Sequence, residues 1–170
     1  NNLWVAAGLN GALRTSTDAV TWTTQTSNFG TTHIFSVAYG NGLWVAGGYA
    51  GQIRTSTDAI TWVTRTSNTF GAYSDIKSVA YGVDSYGDNM WMAVGHEFYQ
   101  GAVATSTDGV SWYGQYTGGF YSGPISSVAY SADDNLWAVG GYYGEIRTTT
   151  DGAYWESQTS NFTNDYYGSI

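Results

Sequence analysis

The chain has 170 residues, 42 % of them hydrophobic and 17 % aromatic, no cysteine, and 13 acidic against 5 basic side chains for a formal charge of −8. That composition fits one globular domain spanning residues 1–170 and excludes disorder, disulfide scaffolds, zinc–thiolate sites and thiol nucleophiles. The charge works against phosphate backbones and anionic surfaces, and no apolar run approaches the roughly 18 residues of a membrane span, so neither nucleic acid nor membrane insertion is expected.

The first predicted strand is LWVAAG from Leu3, the second is GALRTSTD from Gly11, and a third carries Trp22. Next comes FSVAYG at Phe35, and the series restarts: LWVAGG at Leu43, GQIRTSTD running to Trp62, and KSVAYG at Lys77. It returns as MWMAVG at Met90, GAVATSTD running to Trp112, SSVAYS at Ser126, LWAVGG at Leu136 and GEIRTTTD running to Trp155. The leading tryptophans are separated by 40, 47 and 46 residues, giving repeats of about 3–42, 43–89, 90–135 and 136–170.

Each run is rich in valine, threonine and aromatics and bounded by Gly, Asn, Asp or Ser, the pattern of strands joined by short turns. Helical periodicity is missing. Four strands per repeat predict an all-β fold, a β-propeller of four-stranded antiparallel blades. We number the strands of a blade one (SVAY), two (LWVAGG), three (IRTSTD) and four (TW and beyond).

The octapeptide TSTDAVTW, Thr15 to Trp22, recurs at Thr55, at Thr105 and at Thr148. Its aspartates, Asp18, Asp58, Asp108 and Asp151, are placed to accept backbone N–H groups at a hairpin corner, and Trp22, Trp62, Trp112 and Trp155 to cover the turn. Ala19 and Ala59 disfavour positive φ, which predicts a turn based on type I. A catalytic carboxylate is needed once, so fourfold recurrence points to architecture.

These units resemble Asp-box repeats, also called bacterial neuraminidase repeats, whose Ser-x-Asp-x-Gly-x-Thr-Trp motif lies between strands three and four of a propeller blade. Ser16, Asp18, Thr21 and Trp22 match in type, as do Ser56, Asp58, Thr61 and Trp62, with Ser106, Asp108, Ser111 and Trp112 conservatively changed. The gap from Asp to Trp is one residue shorter here. That shorter form is similar to repeats of bacterial surface proteins and phage tail or fibre proteins, which implies an extracellular, cell-surface or virion setting. Only three copies of strand one are present, and Ile170 aligns with Ile34, Ile76 and Ile125 where a fourth would begin. The expectation is a piece of a longer polypeptide, with completion by a neighbouring copy as the alternative.

The repeats differ most in the loops from strand two to three and from strand four to the next strand one, which emerge on one face. There GHEFYQG, Gly95 to Gly101, replaces GYAG and GYYG. Tyr49, His96, Glu97, Phe98, Tyr99, Tyr142 and Tyr143 are the candidate glycan-binding set, since rings stack on the C–H face of a pyranose while short polar groups bond its hydroxyls. Phe29, His33, Phe70, Tyr73, Phe120, Tyr121, Phe162, Asp165, Tyr166 and Tyr167 share this face, where they serve either binding or the capping of the interblade core.

The resemblance also raises sialidase activity, which implies an arginine cluster and a tyrosine paired with a glutamate. Arg14, Arg54 and Arg147 instead share one repeated position, so no catalytic residue is assigned and no enzyme is expected. No cofactor is expected: His33 and His96 lack metal-ligand spacing, and VDSYGDN and SADDN offer oxygens suited to calcium without an EF-hand pattern, reading as exposed turns. The leading expectation is a non-catalytic module that binds a glycan or cell-surface polysaccharide. The alternatives are a structural fibre or tail subunit, a sialidase-like glycosidase, and an assembly factor like the Asp-box propeller that helps build photosystem II.

Overall fold

The computed structural model describes residues 3–117, 120 and 123–162. Tyr121, Asp165, Tyr166, Tyr167 and Ile170 lie outside them. Among the described residues all regular structure is extended, apart from three single turns of 3-10 helix. Strands β1 (Trp4–Ala7), β2 (Ala12–Ser16) and β3 (Thr23–Thr26) form a three-stranded sheet. Three four-stranded sheets follow. The second comprises β4 (Ile34–Gly40), β5 (Leu43–Gly48), β6 (Ile53–Ser56) and β7 (Val63–Arg65). The third comprises β8 (Ser74–Val83), β9 (Asn89–Glu97), β10 (Gln100–Ser106) and β11 (Tyr113–Gln115). The fourth comprises β12 (Ile125–Ser131), β13 (Leu136–Gly141), β14 (Ile146–Thr149) and β15 (Glu156–Gln158).

Within each sheet, strands consecutive in the chain pair antiparallel. Each full sheet takes its SVAY strand from the end of the preceding repeat, so a blade starts one strand earlier than the repeat boundary at Leu43, Met90 or Leu136. Across sheets, the SVAY strands approach closely: β8 lies against both β4 and β12. Residues following SVAY explain why. A Cβ on Gly40 would lie 2.0 Å from the Tyr81 ring, and one on Gly82 2.4 Å from the Tyr130 ring, so each tyrosine beds onto the bare backbone of the preceding blade. Each ring also packs on its own blade's tryptophan, with centroids 4.7 to 4.9 Å apart for Tyr39–Trp44, Tyr81–Trp91 and Tyr130–Trp137.

The core lies between sheets as three clusters. Leu13, Ile34, Trp44 and Trp62 join the first two sheets, Val45, Ile76, Trp91 and Trp112 the next pair, and Met92, Val103, Val128 and Trp137 the last. Because side chains alternate across a strand, strand two sends its tryptophan towards the preceding blade and the next residue towards the following one. Phe29, Phe70 and Phe120, from the loops after strand four, are buried here rather than displayed for binding. Arg54 and Arg147 reach back over two of them, 4.8 and 4.9 Å from the ring centroids of Phe29 and Phe120.

The octapeptide turn lacks the two consecutive positive-φ residues of a type I′ turn, but alanine does not avoid the left-handed region there as expected. Its corner residue has positive φ in all four copies: Ala19 (60°), Ala59 (59°), Gly109 (71°) and Gly152 (75°). Asp58 Oδ1 accepts the N–H groups of Ile60 and Thr61 at 2.8 and 2.7 Å and the Ser56 hydroxyl at 2.8 Å. Those bonds require a left-handed corner, and they offset the roughly 1–2 kcal/mol that an L-residue pays there. The tryptophan closes the turn: Trp62 Nε1 donates to Ala59 O at 3.1 Å, and Trp112 Nε1 to Gly109 O at 3.0 Å.

The four aspartates respond alike. Hydrogen bonds from the backbone of Thr21 and Val20 and the Ser16 hydroxyl hold Asp18 at a pKa of about 2, and the equivalent bonds from Thr61, Ile60 and Ser56 do the same for Asp58. At Asp108 and Asp151 burial, which alone would raise the value, is outweighed by the same set of bonds, and both carboxyls stay below the usual range. These groups are fixed anions whose lone pairs are spent on their own turn.

Candidate functional site

The site grows from the third blade. In each full sheet a bulge interrupts pairing one residue before SVAY, between Ile34 and Ser36, Ile76 and Ser78, and Ile125 and Ser127. In the third sheet it sits at Lys77, whose Nζ lies 2.8 Å from Asp75 Oδ2 and 4.2 Å from the Phe35 ring centroid. Gly95 lies opposite, where a Cβ would stand 1.8 Å from the carbonyl oxygen of Asp75. Only glycine permits that approach, which sets Asp75 beside His96.

GHEFYQG is not a loose loop. It lengthens β9 and β10, which pair Glu97 with Gln100, and leaves Phe98 and Tyr99 as a two-residue turn. Both have positive φ, 46° and 70°, the geometry of a type I′ hairpin that ordinarily selects Asn-Gly. Two aromatic residues held there carry strain, and such strain clusters at functional positions.

A cleft of about 480 Å³ results, lined by Tyr49 from the second blade and by Ala72, Tyr73, Asp75, His96, Phe98 and Tyr99. The aromatic rim is open: Tyr49 is 51 % exposed, Phe98 65 %, Tyr73 77 % and Tyr99 85 %. The rings form an ordered wall, with Tyr73 and Phe98 5.8 Å apart and Tyr99 stacked on His96 at 6.4 Å and 13°. Asp75 and His96 form a polar floor, with Asp75 Oδ2 3.5 Å from His96 Nε2 and Oδ1 accepting the Ala50 N–H at 3.4 Å. His96 Nδ1 is buried with no hydrogen-bond partner.

Of the residues singled out from sequence, Tyr49, His96, Phe98 and Tyr99 come together here. Glu97 does not, because strand alternation turns it to the other side of the hairpin, into a depression shared with Gln100 and Thr117. Tyr142 and Tyr143 lie in the fourth blade, on the 3-10 turn that corresponds to Tyr49–Gly51, with their rings perpendicular to each other. Asp75 escaped sequence reasoning. Its signal was the non-repeating SDI ahead of KSVAYG. Tyr73 was legible only as one loop aromatic among many.

The remaining candidates are engaged elsewhere. His33 Nδ1 accepts the Asn10 N–H at 3.0 Å beside Tyr49. Asp84 caps its own turn, accepting the N–H groups of Tyr86 and Asp88 at 2.9 and 3.0 Å, while Asp134 accepts the Ser131 hydroxyl at 2.9 Å. Among the described residues no three His, Asp or Glu side chains converge as a metal site, and no helix is long and apolar enough to cross a membrane.

No protein-family model and no curated protein matches the chain. Solved structures do. The computationally designed Ika8 protein matches with a TM-score of 0.67 and 16 % identity over 96 % of this chain and 48 % of its own. YCF48, solved bound to a D1 peptide, matches with a TM-score of 0.65 and 14 % identity over 92 % of this chain and 50 % of its own. At such identities the likeness establishes the fold. The chain is all-β with β-propeller blades, and it spans about half the length of both matched structures.

Proposed function

We propose that this protein is a non-catalytic recognition module that binds a glycan in the cleft between its second and third blades. The observation that carries the reading is the wall of Tyr49, Tyr73, Phe98 and Tyr99 standing open above Asp75 and His96. Aromatic rings alone would suit any apolar ligand. A carboxylate and an imidazole at the base add acceptors and donors for hydroxyl groups, and sugars present both kinds of surface. The strained Phe98–Tyr99 turn supports the reading, because the sequence keeps two large rings where Asn-Gly would be easier to fold. The Asp-box resemblance is consistent with a secreted, cell-surface or virion-borne module of this kind.

A glycan array tests the proposal. A saccharide class retained by the protein and lost on Tyr99→Ala, with the fold intact by circular dichroism, is the expected result. Each ring contact of this type contributes about 0.5–1.5 kcal/mol, so that substitution should weaken binding roughly 2- to 13-fold. An array with no retained saccharide, or binding indifferent to Tyr99, refutes it. YCF48 was solved with a peptide, and selective retention of a peptide in place of any sugar would count against the glycan reading.

A further inference from the structure

The lengthened hairpin of the third blade has two sides, and only one of them belongs to the cleft. In the other blades the connection from strand two to strand three is a single 3-10 turn, Leu9–Gly11, Tyr49–Gly51 or Tyr142–Gly144. The loop after strand four closes onto the glycine that ends this turn. A Cβ on Gly11 would lie 2.3 Å from the Gly30 carbonyl oxygen, and one on Gly51 2.7 Å from that of Phe70. Gly101 keeps this closure in the third blade, donating its N–H to the Phe120 carbonyl at 3.2 Å. His96 to Gln100 therefore extend past the point where the other blades end, as a wall with a hollow on each side.

One hollow is the cleft of Tyr49, Asp75 and His96. The other has a volume of about 490 Å³ and is lined by Glu97, Gln100, Gln115, Tyr116 and Thr117. Phe98 lines both, at the crest between them. Glu97 and Gln100 are partners in the ladder, and residues directly opposite share a face, so carboxylate and amide project together. Neither side chain has a hydrogen-bond or ion-pair partner among the described residues. The Tyr116 ring beside them is 71 % exposed. The second hollow thus has the make-up of the first, an open ring next to polar groups with bonding capacity to spare.

We infer that the second hollow is a further subsite, and that the ligand is a neutral oligosaccharide of at least three units laid across Phe98. The inference rests on the glycan reading of the cleft. Passing from hollow to hollow means crossing a strand pair with the side chains on both its faces, roughly 10 Å, which one pyranose does not span. A central ring lies on Phe98, with one ring in the cleft and one in the second hollow. Glu97 accepts hydrogen bonds from hydroxyl groups there, while the Gln100 amide both donates and accepts. Each hollow also carries a carboxylate, Asp75 in one and Glu97 in the other, on a chain of formal charge −8, so anionic chains are repelled.

NMR titration with mono- to tetrasaccharide ladders of glucose, mannose, galactose and N-acetylglucosamine tests the inference, with a galacturonic acid ladder as the anionic control. The expected result is one neutral ladder whose affinity rises about 10-fold or more from the first unit to the third. Glu97→Ala should return the trisaccharide to the affinity of the monosaccharide. Gln100→Ala, at an exposed side chain, should reduce the same gain, which keeps the test sound where Glu97→Ala disturbs the hairpin. Equal affinity along the ladder, a gain that both variants leave intact, or preference for the anionic ladder overturns the second subsite. In those cases a monosaccharide still weakened by Tyr99→Ala shows that the cleft reading stands alone. If no ladder binds, or Tyr99→Ala is without effect, the cleft reading falls and this inference falls with it.

Discussion

Trp62 and Trp22 hold the same place in the same motif, yet they differ in what covers them: Trp62 is 2 % exposed and Trp22 36 %. If the octapeptide fastens blade to blade, replacing each by alanine should give unequal losses. A tryptophan buries about 150–250 Å², and roughly a third of that, some 50–80 Å², separates the two sites. At ~25 cal/mol per Å² this amounts to about 1–2 kcal/mol. Trp62→Ala also removes the Nε1 bond to the carbonyl of Ala59, a further ~1 kcal/mol. Trp62→Ala should therefore destabilise by about 2–3 kcal/mol more than Trp22→Ala, within the 3–5 kcal/mol usual for a buried tryptophan. In a chain of this size that is a gap of about 5–10 °C in Tm. Urea and thermal unfolding provide the measurement. Equal losses, or a larger loss at Trp22, would refute the fastener.

The acid limb of stability should report the four turn aspartates. Their folded pKa values lie below the unfolded value near 3.8, at about 2 for Asp18 and Asp58, so the unfolded chain binds more protons in that window. Their contribution is complete above about pH 4 and is lost as pH falls through the folded values. Urea midpoints should drop from pH 4 to pH 2, and Asp58→Asn should flatten the drop; stability that rises on acidification contradicts this. Ala19→Gly relieves a left-handed alanine on an exposed corner and should be neutral or stabilising by up to about 1 kcal/mol. Gly109→Ala should destabilise by about 1–2 kcal/mol, because its methyl would stand 2.7 Å from Leu43, and chemical denaturation of both variants separates the two signs. Gly95→Ala collides with the Asp75 carbonyl and should abolish saccharide binding as well as lower Tm, whereas a variant that keeps full affinity would detach Asp75 from the site.

The blades were legible because strand alternation and turn residues are local signals that recur, and a pattern repeated every 40 to 47 residues leaves little room for another architecture. The turn at Ala19 and Ala59 was not, since propensity alone does not weigh the aspartate bonds that hold alanine at positive φ. Phe29, Phe70 and Phe120 resembled the aromatics of the candidate site because loops have no period to distinguish inward from outward, and their burial depends on blades far along the chain, with an arginine over Phe29 and over Phe120. The candidate site was partly visible for a related reason. GHEFYQG announced itself by breaking the repeat, and it delivered His96, Phe98 and Tyr99. Asp75 joins them only through a bulge and a bare glycine on the neighbouring strand, a contact across the sheet that no linear motif records.

The proposed recognition site is the cleft between the second and third blades. Titrating the best-retained saccharide into isotope-labelled protein and following amide and side-chain resonances tests it most directly. Shifts concentrated at Tyr49, Tyr73, Asp75, His96, Phe98 and Tyr99, saturating with one affinity that Tyr99→Ala weakens, are the predicted result. Saturable shifts confined to Tyr142 and Tyr143 or to the octapeptide turns, with the cleft unmoved, would contradict it.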